Sequence, residues 1–433
     1  MAPGPTRAGR ADVVRLLVIG VLPTLVQGAC LRRSLGVRLT AALDTHAWGC
    51  RLLDDLRERH GPGPVLVSAF GRTGLILLLA DDARRMLAET GVSFTTANRE
   101  KMAALSHFEP DAVLITPGAL KAERRRFNEA AIDHGVAGQW FREACRAAVE
   151  EEARPLLVGG PLTWKRFRGA YQRIVRRIVF GDAARDDERI TELRDKLRSD
   201  GNWFMLHRKR HRLRNELFVR CRRYIDLPEP GGLARAVSAT PATAEIKPVA
   251  QMQHWFFAFD AAPVSDYLTL GLLAGRPEHA ARARADRAYL RACVLEAQRL
   301  WPTTLALVRD TTAETHWPGG WTLPAGAAVI ACTPFFHRDA RHLPYADRFE
   351  PEVWLDGRAE ADWSIAPFSR GPAQCLGKEI VLSTSAVLLT ELLGHDWRIT
   401  SSNRLGPERP LPRTADHTSL RFAAAGDDRA ARG

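Results

Sequence analysis

The sequence has no closely spaced pair of cysteines. It contains an odd number of them, seven in all, without any Cys-x-x-Cys arrangement. They are Cys30, Cys50, Cys145, Cys221, Cys293, Cys332 and Cys375. This spacing argues against a disulfide framework and against a cysteine-bound zinc ion, and it is typical of proteins from a reducing compartment. We therefore expect a cytoplasmic location, with most of these thiols buried and unreactive.

A membrane-spanning apolar run is also missing near the N-terminus. The apolar stretch at residues 16–26 is too short to cross a bilayer, and Pro23 interrupts it. Arg7, Arg10 and Arg15 precede this stretch, which resembles the start of a secretory signal. We favour instead an N-terminal extension over residues 1–34, a helix packed on the body or resting on a membrane surface. Membrane contact is therefore expected to be peripheral at most.

The composition lacks the marks of disorder, because 45% of the residues are hydrophobic and 26% are charged. The formal net charge of +12 could attract nucleic acid, a membrane surface or an acidic protein. Arginines crowd residues 208–214, but they lack the interleaved aromatics that binding of single-stranded nucleic acid needs. We therefore predict no nucleic-acid partner and favour an acidic protein partner.

Sequence patterns typical of helices cover more of the chain than patterns typical of strands, and no internal repeat is visible. Helical spacing of apolar residues occupies residues 121–131, 164–180, 188–197 and 280–300. Strand-like text bounded by Pro and Gly lies at residues 64–70, 74–79 and 321–332. The pattern predicts a mainly α fold with a small β-rich lobe. We expect one domain over residues 35–425, followed by a disordered tail at residues 426–433.

One cysteine stands in a loop suited to chemistry. Phe368, Gly371, Cys375 and Gly377 are followed directly by an apolar helix over residues 378–393. A cysteine at a helix N-terminus meets unpaired amides that favour the thiolate, and the two glycines would let backbone approach a flat cofactor. A lone cysteine in such a loop can also be an ordinary core residue. The residues alone leave both interpretations open.

These four residues occupy every fixed position of the haem-binding signature of the cytochrome P-450 family, which the segment resembles. The resemblance implies a cytochrome P-450 fold and haem b, iron protoporphyrin IX, with Cys375 as the iron ligand. The family often has Arg or His two residues before the ligand, and this chain has Ala373 there. Because it shows no membrane anchor, the chain resembles the soluble, bacterial members of the family more than the membrane-bound ones.

Two further segments resemble the family in the expected order. Glu296 and Arg299 are spaced i,i+3 on a helix, as in the family's Glu-x-x-Arg pair, although surface ion pairs share this spacing. Residues 345–354 resemble the family's meander, whose arginine is here Arg348. The resemblance implies a buried Glu–Arg–Arg cluster behind the haem. Breaking such a cluster is costly, because removing one partner leaves a buried charge unpaired.

The resemblance also suggests which cations hold the haem propionates. Arg309 follows the Glu-x-x-Arg pair at the usual interval, and Lys121 and Arg125 lie on an early helix that supplies such residues. The alternative for this early helix is a solvated basic face, which also takes in Arg124 and Arg126.

The helix over the distal haem face is expected within residues 249–274. Asp260 is a solitary carboxylate in an apolar run, so it should face a cavity, water or a partner. It resembles the family's proton-relay acid, but Ala261 stands where the family usually has threonine. Pro263 should kink or open the helix, and Ser265 is one candidate to replace the missing hydroxyl.

The resemblance implies a monooxygenase that inserts one oxygen atom of O2 into an apolar small molecule. Electrons would come from NAD(P)H through a ferredoxin or flavodoxin-type donor and its reductase; such donors are commonly acidic, which suits a basic chain. Ala261 keeps open a peroxygenase or a rearrangement enzyme that does not use O2, and a non-catalytic haem-binding protein is a third alternative. Substrate choice depends on residues 94–117, 168–213 and 414–420, where Phe108 and Leu114 suggest an apolar substrate.

Overall fold

The computed structural model describes residues 5–69, 71–137, 139–402, 404–407 and 410–424, so the predicted tail at residues 426–433 lies outside it. The chain divides into two compact units. The first comprises residues 1–99, 295–375 and 408–416, and the second residues 100–294, 376–407 and 417–433.

The described chain is mainly helical, as the sequence predicts. The α-helices, α1 to α19 in chain order, are Arg10–Arg15, Leu22–Gln27, Ser34–Ala42, Thr45–His60, Ala80–Ala88, Arg99–Leu105, Ala119–Ala137, Gln139–Leu157, Trp164–Phe180, Glu188–Gly201, His211–Asp226, Leu233–Ala239, Pro248–Asp260, Ala262–Ala274, Pro277–Ala285, Arg287–Leu300, Thr333–Phe336, Arg358–Ala361 and Lys378–Leu393. A π-helical turn at Leu16–Val21 joins α1 to α2. Short 3-10 turns occur at Val113–Ile115, Asp182–Ala184, Phe204–Leu206, Pro351–Trp354 and Gly371–Ala373.

The strands are few and short. In chain order, β1 to β11 are Thr6–Arg7, Val65–Ala69, Arg72–Ile76, Phe94–Thr95, Leu162–Thr163, Ala306–Thr311, Thr315–Trp317, Trp321–Leu323, Ala328–Cys332, Trp397–Ile399 and Arg421–Ala424. The first unit holds a six-stranded sheet in the order β1-β2-β3-β9-β6-β4 and the hairpin β7-β8. The second unit holds the three-stranded sheet β10-β11-β5. The predicted small β component is therefore confirmed.

The alternation of side chains along β6 determines which side of the strand Arg309 lies on. Leu307, Arg309 and Thr311 alternate with partly exposed residues and lie on the buried side of the strand. The same core contains apolar residues of β3 and β9, such as Leu75 and Val329, and residues of α4 and α5. Arg309 is therefore carried into the interior by an otherwise apolar strand.

The N-terminal extension is packed against the first unit. β1 pairs in parallel with β2, and the buried carboxylate of Asp12 forms an ion pair with Arg59 of α4 at 2.8 Å. Gly36 in α3 lies so close to the carbonyl of Val26 that any Cβ would collide with it. These contacts pack the extension against the first unit, and a role for it at a membrane surface stays a prediction. Among the described residues, no helix is long and apolar enough to cross a membrane.

The predicted long helix at residues 249–274 is two helices in the second unit. α13 ends at Asp260 and α14 begins at Ala262, with Ala261 at the junction. Pro263 has no amide hydrogen to give the carbonyl of Phe259, and its ring would crowd that carbonyl in a continuous helix. The predicted opening of the helix near Pro263 is confirmed.

A carboxylic acid is enclosed in α14. Asp266 is fully buried, and neither of its side-chain oxygens has a hydrogen-bond partner within the described structure. Burial raises its pKa to about 8, although the nearby hydroxyl of Ser385 acts in the opposite direction. Asp266 is therefore neutral at pH 7, whereas an aspartate in the unfolded chain is ionised there.

Replacing Asp266 with asparagine should therefore change how stability depends on pH. Folding of the wild type takes up a proton between about pH 4 and pH 8, so its free energy of unfolding should fall across this window by up to roughly 1.4 kcal/mol per pH unit. Asp266→Asn should lack this contribution and gain stability over the wild type as the pH rises from 5 to 8. Urea denaturation followed by circular dichroism measures both, and the exposed Asp81→Asn serves as the control. Parallel pH profiles for all three proteins would contradict a neutral Asp266.

Candidate functional site: the cysteine loop and the surrounding charge clusters

The loop before Cys375 is closed by its own main chain. The amide of Cys375 donates to the carbonyl oxygen of Phe368 at 2.9 Å, and that of Gln374 donates to Gly371 at 3.0 Å. Ser369 and Gly371 both have positive φ, 58° and 65°. A Cβ at Gly371 would lie 2.6 Å from the carbonyl oxygen of Leu87, at the end of α5. In the structure, glycine is required at position 371 because the main chain of Leu87 leaves no room for a side chain. This differs from the predicted reason, a close approach of the loop to a flat cofactor.

Arg370, which the sequence did not single out, fastens this loop. Its guanidinium donates to the carbonyl oxygens of Ile365 at 2.8 Å, Glu360 at 2.9 Å and Ala359 at 2.6 Å. These bonds tie the loop to α18 and the turn that follows it, and they hold the backbone on the N-terminal side of Cys375.

Cys375 differs from the buried cysteines. It is partly exposed, and it lies two residues before Gly377, the residue that precedes the first turn of α19. The unpaired amides of such a turn favour an anionic sulfur. By contrast, burial raises the pKa of Cys145 to about 11 and that of Cys221 to about 12, which keeps these thiols neutral. Cys375 is thus better placed than they are to act as a thiolate.

Arg309 is a buried cation whose described partners are neutral. Its side chain is 2% exposed and donates to the hydroxyls of Thr90 and Ser369 and to the carbonyl of Val308, each at 3.1 Å. Burial lowers the pKa of Arg309 to about 10. A buried charge without a counter-ion is costly, so the site favours an anionic ligand group. Because Ser369 belongs to the cysteine loop, this cation lies beside that loop.

The structure places Lys121 and Arg125 on α7 in the second unit. Arg125 forms an ion pair with Glu129 at 2.8 Å, and Lys121 is partly exposed. Their neighbour Arg124, grouped with a solvated face from the sequence, is instead buried and donates to Thr116 at 2.8 Å. The haem-binding role of Lys121 and Arg125 stays a prediction.

Glu296 and Arg299 form a fully buried ion pair in the first unit. Two hydrogen bonds of 2.8 and 2.6 Å join the guanidinium to the carboxylate, and both side chains have 0% exposure. The remaining N–H groups of Arg299 reach main-chain carbonyls of His337, Tyr345, Ala346 and Arg348. The predicted pair is therefore formed, and it holds the main chain of the meander.

The third member of the predicted cluster departs from expectation. The guanidinium of Arg348 is exposed and donates to the carbonyl of Pro344 at 3.4 Å, so only the carbonyl of Arg348 joins the pair. Glu296 is completed by the amide of Glu350 at 2.9 Å and the indole of Trp354 at 3.0 Å. A buried Glu–Arg pair with main-chain and indole partners thus replaces the expected Glu–Arg–Arg cluster.

The second buried arginine of this region is Arg338. It pairs with Asp347 at 2.6 Å and donates to the carbonyls of Leu411 and Pro412 at 2.6 and 2.7 Å. Burial lowers its pKa to about 10. Its neighbour His337 is fully buried, with a pKa lowered to about 3 by burial, and its Nε2 accepts the amide of Ala366 at 3.0 Å.

In the second unit, Asp260 is held by two arginines of α10. Arg194 and Arg198 approach its carboxylate at 3.0 and 3.1 Å. The expectation of a partner for this carboxylate is confirmed, although the sequence did not identify which one. Ala261 brings no hydroxyl to this point, and the buried hydroxyl of Ser265 has no partner within the described structure.

One face of α13 is partly accessible, while its other faces are buried. His254, Phe257, Ala258 and Ala261 share this face at helical spacing. The imidazole of His254 lies 3.1 Å from the carboxylate of the buried Glu109, whose pKa is raised by burial. This face places aromatic and small residues next to Asp260.

The comparisons agree with these features. Residues 272–403 match the family model described as Cytochrome P450. The chain is 31% identical over 128 residues to cyclooctat-9-en-7-ol 5-monooxygenase from Streptomyces melanosporofaciens, covering 29% of this chain and 26% of that protein. It is 32% identical over 118 residues to cytochrome P450 4c21 from Blattella germanica, covering 27% and 23%. The matched part thus spans about a quarter of these relatives' length.

Solved structures extend the likeness to most of the chain. Retinoic acid-bound cyanobacterial CYP120A1 gives a TM-score of 0.69 at 16% identity and covers 86% of this chain and 93% of its own. CYP175A1 from a Thermus thermophilus strain gives 0.67 at 17% identity and covers 97% and 99%. At these identities the likeness concerns the fold, and it confirms the predicted cytochrome P-450 type.

Removing the side chain of Arg299 should lower the free energy of unfolding far more than removing that of Arg348. Arg299→Ala leaves Glu296 buried without its counter-ion and should cost about 3–5 kcal/mol of unfolding free energy. Arg348→Ala removes an exposed side chain whose carbonyl stays in place, so we expect a change within about 0.5 kcal/mol. Denaturant titration and the haem content of the purified variants measure this difference. Equal losses in both variants would show that the Arg348 side chain is also required.

Proposed function

Because the chain belongs to the cytochrome P450 family, we propose that it is a haem-thiolate monooxygenase that inserts one oxygen atom of O2 into an apolar small molecule. The observation that carries this proposal is the cysteine loop. A partly exposed Cys375 stands directly before α19, in a loop closed by its own main chain and anchored by Arg370.

The residues of this loop fit haem b. Cys375 would supply the sulfur ligand, Phe368 stands at the signature's aromatic position, and Gly377 follows the ligand. Arg309 supports the assignment independently, because a buried guanidinium with neutral described partners suits a propionate. Lys121 and Arg125 are proposed as further propionate partners. Bound through a cysteine thiolate, haem supplies an iron centre that can activate dioxygen for attack on C–H bonds.

The chain's own contribution is proposed to be positioning and proton handling. Glu296 and Arg299 fix the meander main chain in the same unit as the cysteine loop. Asp260 is proposed as a proton-carrying group on the distal helix, beside the partly accessible face of α13. Arg194 and Arg198 hold its carboxylate in place, and the lone pairs that they do not use remain open to a hydrogen-bond donor.

The electron donor and the substrate can each be proposed as a chemical class. We propose a ferredoxin or flavodoxin-type donor with its reductase, drawing on NAD(P)H, because a net charge of +12 favours an acidic donor. The substrate is proposed to be apolar. One relative is named for acting on a cyclic alcohol, and the rings of Phe108 and Phe257 lie 6.2 Å apart in the second unit.

A peroxygenase or rearrangement enzyme is the second candidate, and Ala261 favours it. Without a hydroxyl at this position, the usual acid–alcohol pair of the family is incomplete. Product formation that needs O2 and reduced donor supports the monooxygenase, while product formed with peroxide alone, or without any oxidant, supports the alternative. Spectral shifts without product would favour a non-catalytic haem-binding protein.

Cys375→His tests the ligand. The reduced, carbon monoxide-treated wild type should show the long-wavelength Soret band of thiolate ligation, and the variant should lose it because imidazole replaces sulfur. Cys332→Ala, which removes another partly exposed cysteine, is the control and should keep the band. A wild type that binds no haem, or shows the short-wavelength band when freshly prepared, would remove the basis of the proposal.

Asp260→Asn tests the proton-carrying role. We expect normal haem content, but product formation about tenfold slower or more donor electrons consumed per product, because the amide cannot carry the proton. Asp195→Asn is the matched control, since Asp195 contacts the same Arg198 from α10 without lying on the distal helix. The ratio of product to NAD(P)H consumed is the measurement. Unchanged turnover and coupling would exclude Asp260 from proton delivery.

A further inference from the structure

Three potential metal ligands that the proposed function does not use meet in the second unit. They are His107, in the turn after α6, Asp200, in the last turn of α10, and His207, just after the 3-10 turn Phe204–Leu206. One ring nitrogen of each histidine and one carboxylate oxygen of Asp200 lie within 4.8 Å of one another. His107 and Asp200 are buried, and His207 is exposed.

Both imidazoles are oriented by main-chain carbonyls. His107 Nε2 lies 2.8 Å from the carbonyl oxygen of Phe204, and His207 Nδ1 lies 2.9 Å from that of Arg208. Nδ1 of His207 also lies 3.7 Å from a carboxylate oxygen of Asp200, so binding an ion through Nδ1 would break its bond to the Arg208 carbonyl. His107 can donate its Nε2 N–H to the main chain and keep Nδ1 as an acceptor. Metal-binding histidines in proteins are typically oriented in this way.

The second ring nitrogen of His107, Nδ1, is buried and needs a hydrogen-bond or metal partner. His107 is 1% exposed, and its Nδ1 has no hydrogen-bond partner within the described structure. A buried polar atom without a partner costs free energy. A metal ion bound at this nitrogen would supply the missing partner.

Asp200 is already engaged by a competing cation. Arg210 contacts both of its carboxylate oxygens, with Nε and a terminal nitrogen at 2.6 Å. Each carboxylate oxygen has a second lone pair for a metal, and the Arg210 side chain is 43% exposed, so it can withdraw into solvent. A metal at this site is therefore opposed by Arg210 but not blocked by it.

We propose that His107, Asp200 and His207 bind a divalent cation of the zinc type. Two imidazoles and one carboxylate suit Zn²⁺ better than Mg²⁺ or Ca²⁺, and a water molecule would complete a tetrahedral set. Bonds of ~2.0 Å place tetrahedral ligands ~3.3 Å apart, which is close to the 3.7 Å between Nδ1 of His207 and the nearer carboxylate oxygen of Asp200.

Occupancy of this site has a consequence for the segment between α10 and α11. His207 follows the exposed apolar residues Trp203, Met205 and Leu206, whereas His107 and Asp200 are buried. A shared ion would fasten this exposed segment to the interior at His207. The proposal concerns a site separate from the haem chemistry and stands whether or not the monooxygenase function holds.

Zinc chloride is the probe, titrated into the haem-loaded full chain after treatment with a chelator, by calorimetry in competition with a chelator of known affinity. We expect a site whose affinity falls at least ~tenfold in His207→Ala and in His107→Ala. His211→Ala, which removes a nearby exposed histidine outside the cluster, should bind like the wild type. Arg210→Met should bind more tightly, because it removes the competing charge.

Several results would overturn the proposal. One is a wild type that binds no zinc at ~100 µM, and another is affinity unchanged in His207→Ala, whose exposed side chain can be removed without loss of the fold. An Asp200→Asn variant that keeps its fold and binds zinc with unchanged affinity would exclude Asp200 from the ligand set. As a second readout, zinc should slow tryptic cleavage between residues 208 and 214 in the wild type and not in His207→Ala. Equal protection in both would also refute the site.

Discussion

The buried ion pair of Glu296 and Arg299 depends on hydrogen bonds that use both carboxylate oxygens and all three guanidinium nitrogens. Two charges taken out of water lose several kcal/mol of hydration each, and their mutual attraction offsets this only when the remaining lone pairs and N–H groups are also bonded. Here main-chain carbonyls, one amide and the indole of Trp354 complete the set. The irregular chain of the meander, which has little regular secondary structure, is thereby fixed at its carbonyl groups.

The same device recurs in other arginines of the protein. Arg370 donates to three carbonyls. Arg338 donates to those of Leu411 and Pro412, between β10 and β11, and Arg166 donates to four carbonyls in the second unit. The planar fork of arginine suits such contacts, because its five donors can reach several carbonyls at once. Part of the positive charge that suggested an external acidic partner is therefore structural. An acidic donor is favoured only by the positive charge that remains exposed.

Sequence patterns predicted what is local and missed what depends on distant segments. The cysteine loop, the Glu296–Arg299 pair and the helix opening near Pro263 are set by residues within a few positions of each other. The partners of Asp260 lie on α10, more than sixty positions earlier, and no periodicity points to them. Gly371 is required by the carbonyl of Leu87, which only the packed chain brings near. Arg348 was placed by resemblance, and its exposed side chain shows that a motif position does not fix a side-chain direction.

The junction at Ala261 separates what could have been one continuous helix into two helices, α13 and α14. α13 packs against α9, α11, α12 and α19, whereas α14 packs against α9, α15, α19 and the strand β10. A displacement of α10 that acts through Arg194 and Arg198 pulls on the last residue of α13, next to the joint. The force then acts on α13, which carries Phe257 and Ala258, while α14 stays anchored by the hydrogen bonds from Tyr267 to Leu162 and Leu420. The missing amide of Pro263 thus gives the helix a bend at which it can pivot, and force applied to α13 reaches α14 through their shared contacts with α9 and α19 rather than along a continuous helix.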